Sequence, residues 1–86
     1  MPEICRFYGI IIRMFFREHA PPHFHAEYGG KEALISIDTL AVISGGLPPR
    51  TLGLVVEWAS LHKDELRRNW DMALNHEQPL QIRPLE

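Results

Sequence analysis

Apolar residues dominate or alternate with polar ones over the first half of the chain and recur every three to four positions over the second, so strands are expected before helix. "ICRF", residues 4 to 7, and "IIIRMFF", residues 10 to 16, are rich in β-branched and aromatic side chains, and Tyr8-Gly9 between them reads as a tight turn, the alternative being a bulge at Gly9 in one continuous strand. Along the longer predicted strand Ile10, Ile12, Met14 and Phe16 share one face, and Ile11, Arg13, Phe15 and Arg17 share the other. The first face is the better core. Pro21 and Pro22 interrupt the pattern because neither offers a backbone donor. "HFHAEY" (23 to 28) and "KEALISID" (31 to 38) flank Gly29-Gly30, which predicts an antiparallel hairpin, and "LAVIS" (40 to 44) adds a further strand.

Leu47-Pro48-Pro49 announces a helix, since proline is tolerated in a first turn whose N–H groups have no helical partner. Leu52, Val55, Ala59, His62, Leu66, Trp70 and Ala73 then fall on one helical face. The spacing predicts one long helix or two collinear ones. A bend belongs between Ser60 and Lys63, where the apolar face narrows. Leu80 and Ile82, between Pro79 and Pro84, predict an extended tail able to add an edge strand. The expected fold class is α+β: a small antiparallel sheet of about four to five strands, followed by a long or bent helix packed on one face. One domain is expected over residues 1–86, with strands in 4–44, a helical region at 48–75 and an extended tail at 78–86.

Composition changes this picture little. At 86 residues, 45% hydrophobic and 23% charged, the chain suits one core. Its apolar runs are too short for a membrane span, and "MPEICRFYG" lacks the basic start and apolar stretch of a signal peptide, so no membrane partner and a cytoplasmic location are expected. Cys5 stands alone, which excludes an internal disulfide and a multi-thiolate zinc site. Arg6, Arg13 and Arg17 make the first strands basic, but a formal charge of −2 leaves a nucleic-acid partner open without favouring it.

The candidate chemistry lies in "HAPPHFHAEY", residues 19 to 28. In a strand from His23, the side chains of His23, His25 and Glu27 share one face, expected to be the open one, while Phe24, Ala26 and Tyr28 face the core. Same-face neighbours are about 6.8 Å apart, close enough for two imidazoles to meet on one metal or one phosphate. As a metal site the candidates are His19, His23, His25 and Glu27, holding zinc or another divalent ion. An extended Ala20–Pro22 segment would put His19 about 12 Å from His23, so this set requires the chain to turn back. As a metal-free site, His23 and His25 serve as acid and base, with His19 and Arg17 assisting. The plainer expectation is that His19 and His23 bond backbone around the Pro-Pro turn. No cofactor is demanded by the pattern.

Trp58 and Trp70 read as core or subunit anchors. Before Ser60 the helix offers more apolar surface than one sheet face can cover, so Trp58, Leu54 and Leu61 are interface candidates for a symmetric homodimer or a heteromer. The competing expectation is that the tail, through Leu80 and Ile82, covers that side.

With "RFYGIIIRMFF", "HAPPHFHAEYG", "LPPRTL" and "EWASLHKDELRRNW" in order, nearly the whole chain resembles the small bacterial proteins gathered as domain of unknown function 4160. The resemblance is carried chiefly by His19–Gly29 and by Trp58, His62, Leu66 and Trp70. It implies no established activity. It does imply a partner, because such proteins are frequently encoded beside a second small protein and are suspected toxin-antitoxin components. Two functions follow: a partner-binding half of a toxin-antitoxin-like pair, joined to the adjacent-gene protein, or a histidine-dependent ribonuclease or phosphodiesterase, with or without a metal.

Overall fold

The computed structural model describes residues 3–86. Five strands, β1 (Glu3–Phe7), β2 (Ile10–Arg13), β3 (His23–Tyr28), β4 (Lys31–Ser36) and β5 (Val42–Gly45), form one antiparallel sheet in sequential order. Two helices follow, α1 (Pro49–Leu61) and α2 (Lys63–Leu74). This is the expected α+β class. No helix of the described residues is long and apolar enough to cross a membrane.

Two short turns set the register. Tyr8-Gly9 and Gly29-Gly30 all take positive φ, the geometry whose twist matches paired strands. The second turn places Tyr28 opposite Lys31 and therefore His25 opposite Leu34. At Gly45 the chain passes so close to β4 that an added Cβ would lie 2.2 Å from the Glu32 carbonyl oxygen, so no larger residue fits there.

The core lies between one sheet face and the helices. Ile10, Ile12 and Met14 of the second strand region join Phe24, Ala26, Ala33 and Ile35, and meet Val55, Trp58, Ala59, Leu66, Trp70 and Ala73 from the helices. Trp58 is fully buried, with its indole 5.6 Å from the Phe7 ring and 5.9 Å from that of Phe24. Two expectations need correcting. β2 stops at Arg13, so Phe16 leaves the core face and is 40% exposed. Tyr28 is also exposed, lying beside the Tyr8-Gly9 turn instead of beneath the helices. The helical pattern does break where a bend is expected, at His62, whose φ of −129° leaves the helical region.

The tail resolves the competition over Trp58. It forms no strand, but Ile82 is buried and donates its N–H to the Ile4 carbonyl at 2.8 Å, while the Trp58 indole N–H donates to the Arg83 carbonyl at 2.8 Å. Buried Asn69 clamps the tail from both sides: its amide donates to the Leu80 carbonyl at 2.8 Å, and its oxygen accepts the Leu80 N–H at 3.0 Å. As an interface candidate, then, Trp58 is corrected to a core residue. Leu54 is half-buried, and Leu61 remains 67% exposed.

Cys5 is buried in the core, and burial is the main cause that pushes its thiol from an ordinary 9.0 up to about 11. The fold thus favours the protonated thiol. That contribution is complete below about pH 9 and is lost as pH rises through about 11. A disulfide reagent at pH 8 should label the native chain far more slowly than the urea-unfolded chain, and equal rates would contradict this burial. Replacing Asn69 with leucine keeps the branched shape and heavy-atom count but strands the Leu80 amide and carbonyl. The expected cost is about 2–3 kcal/mol in urea unfolding, with a red shift of tryptophan emission as the tail leaves Trp58. Unchanged stability and emission would mean the tail is held by other contacts.

Candidate functional site

The outer face of the sheet has no helix over it, and the chain between β2 and β3 folds back to cover part of it. Met14 still points into the core, whereas Phe15 lies with its ring edge-on to His25, centroids 4.7 Å apart. Arg17, at φ +52°, donates its N–H to the Ala73 carbonyl at 3.3 Å and fastens the loop to the end of α2. The Ala20–Pro21 peptide is cis, and the Pro22 carbonyl accepts the Ile37 N–H at 3.0 Å. Between these fastenings Glu18 comes down over β3.

Glu18, His23 and His25 meet there, one ligating atom from each lying within 4.8 Å of the others. His23 Nδ1–H donates to the Pro21 carbonyl at 2.8 Å, which leaves its Nε2 facing Glu18 Oε1 at 3.4 Å. That Nε2 is buried and has no hydrogen-bond partner. His25 places Nε2 2.6 Å from the same Glu18 oxygen and Nδ1 2.9 Å from Glu32 Oε2. Each nitrogen of His25 thus has a carboxylate oxygen within hydrogen-bonding distance. The imidazole rings lie 5.4 Å apart and tilted by 56°, and Trp70 closes on His23 at 5.2 Å.

His23 and His25 therefore share a face, as expected, but that face is not open: they are 5% and 8% exposed. The other expected members go elsewhere. Glu27 accepts a 2.9 Å ion pair from Arg13 and stands outside the cluster. His19 is exposed and contributes no ligating atom to the cluster, and the Arg17 guanidinium reaches His76. Two residues were missed. Glu32 was within reach of pattern reasoning, because the Gly29-Gly30 turn pairs Glu27 with Glu32 and puts Glu32 diagonal to His25 on one face. Glu18 had no such signal beyond its place next to His19.

A groove of about 260 Å³ opens beside the cluster, lined by Glu18, His19, Pro21 and His23 on one side and by Leu34 and Ile43 on the other. The arrangement offers two imidazole nitrogens and a carboxylate oxygen beside a largely apolar groove that Glu18 and His23 help to line. Such a set can hold a proton between carboxylates or ligate a divalent cation.

The family model described as "Domain of unknown function (DUF4160)" matches residues 9–71, most of the chain, and the chain belongs to that family. No curated protein and no solved structure was found to match it.

His25 and His19 should separate sharply on substitution. His25→Ala leaves Glu18 and Glu32 without the side chain both contact and is expected to cost about 2 kcal/mol or more in denaturant unfolding. Exposed His19→Ala should stay within about 0.5 kcal/mol of the parent. Equal effects would remove the case for a cluster centred on His25.

Proposed function

We propose that this member of the DUF4160 family is a partner-binding module, one half of a toxin-antitoxin-like pair with the protein encoded beside it, and that it takes up its partner along β5. The observation that supports this reading is the difference between the two edges of the sheet. At β1 the tail lies against the edge, with Ile82 bonded to the Ile4 carbonyl and the Gln81 amide donating to the Glu3 carbonyl at 2.5 Å. Beyond β5 no strand pairs among the described residues.

Every residue of β5 is exposed, including Val42 at 38% and Ile43 at 45%. Sheet edges are normally blunted by lysine, other charges or proline, and "VISG" carries none of these. Its shortness and the register shift opposite Leu34–Ile35 limit pairing with a copy of itself, yet an extended segment of another protein can still add to it. Backbone bonds would supply affinity, and apolar side chains laid over Val42 and Ile43 would supply selectivity.

The nuclease reading draws less from the geometry. His23 and His25 are buried, and neither Arg17 nor His19 joins them.

Co-expression with the adjacent gene product should yield a complex stable to size exclusion. A Val42→Lys, Ile43→Asp double variant should weaken it at least about tenfold, or about 1.4 kcal/mol, with little change in the isolated chain's melting temperature. No complex with that protein, or full affinity in the double variant, would defeat the proposal.

A further inference from the structure

We infer that Glu18, His23 and His25 form a binding site for one divalent transition-metal ion of the zinc class. The donor set comes first. Two imidazole nitrogens and one carboxylate oxygen suit zinc and its first-row neighbours, whereas calcium and magnesium prefer oxygen alone. Zinc sites with three protein ligands leave a fourth position for water. The groove lined by Glu18 and His23 gives solvent a route to the cluster.

The ring nitrogens facing away from Glu18 are already held as a metal site holds them. In metal sites the ring nitrogen away from the ion is held by a carbonyl or carboxylate, which fixes the imidazole and raises its basicity. Here Pro21 holds Nδ1 of His23 and Glu32 holds Nδ1 of His25, so both Nε2 atoms turn toward Glu18 Oε1. Strand pairing supplies Glu32, whereas Pro21 and Glu18 come from the loop that folds back over the sheet.

Distances agree. Bonds of about 2.0–2.1 Å in a tetrahedral shell separate ligand atoms by about 3.3 Å. His23 Nε2 and Glu18 Oε1 are 3.4 Å apart. His25 Nε2 and the same oxygen, at 2.6 Å, need to open by less than about 1 Å, which a side chain on a loop can supply.

The last observation is the orphaned nitrogen. His23 Nε2 is buried with no hydrogen-bond partner, in a residue 5% exposed. A buried polar atom left unpaired costs about 1–3 kcal/mol. A cation between Nε2 and Glu18 removes that cost. The inference does not rest on pairing at β5, because the isolated chain suffices to test it.

The full chain, stripped with chelator and dialysed, is titrated with zinc chloride by calorimetry and with cobalt(II) by visible absorption. The expected result is one ion per chain with a dissociation constant below about 10 μM, and the intense visible bands of four-coordinate cobalt. Glu18→Gln should weaken binding at least about tenfold and Glu32→Gln by about 10–100-fold, while His19→Ala, His62→Ala and His76→Ala leave it unchanged. His23 and His25 are buried, so Glu18 and Glu32 carry the test, with circular dichroism confirming that each variant is folded. Zinc binding weaker than about 10 μM in the parent overturns the site. So does parental affinity in folded Glu18→Gln.

Discussion

The outer face of the sheet depends on the imidazole of His25 lying between two carboxylates. With both helices on the opposite face, strands β2 to β4 present His23, His25, Glu27 and Glu32 toward whatever lies above them. Glu18 and Glu32 grip His25 from its two nitrogens at 2.6 and 2.9 Å, and charge-assisted bonds of this kind are about twice as strong as neutral ones. Glu18 thereby pins a loop that has few backbone bonds of its own. Once the loop is down, Phe15 covers the His25 ring and Trp70 closes beside His23, so two polar residues end up buried where alternation alone would leave them wet.

Local signals account for the parts that were legible in the sequence. The Gly29-Gly30 turn and the alternation of residues 23–38 contain the hairpin and its register, because side-chain period and turn type leave little freedom. The recurrence from Leu52 to Ala73 contains the buried helical stripe, and the narrowing of that stripe marks the break now seen at His62. The tail was legible only as one of two covers for Trp58. Nothing local distinguishes a surface tryptophan awaiting a second chain from one covered by residues twenty-five positions later. Asn69 decided the matter, as a polar residue on an apolar stripe that bonds the tail backbone.

Alternation states which side chains share a face and is silent about what covers it. That is why His23 and His25 were grouped correctly but expected to be open. Glu18 belongs to a loop whose path follows from tertiary fastenings, Arg17 to Ala73 and Pro22 to Ile37, and neither is encoded in local spacing. Glu27 was drawn into the expected site by its period-two position, yet Arg13 sits diagonal to it on β2 and claims it. A charge on the right face joins whichever partner the neighbouring strand supplies.

The proposed metal site and the open edge are not independent in space. Ile43 belongs to β5 and, with Leu34, forms the wall of the groove whose other wall holds Glu18 and His23. A strand added outside β5 would lie next to that wall, and any side chain it laid over Ile43 would reduce solvent access to the cluster. Linkage makes such an effect reciprocal: an occupant of the cluster that favours one position of the Glu18 loop changes affinity at β5 by the same factor that the partner changes affinity at the cluster. A difference of 1.4 kcal/mol between loop positions would suffice for about a tenfold effect. The size of that coupling is set by the loop, since the sheet beneath it is locked by paired strands while Glu18 is held by side-chain bonds and a few fastenings at either end.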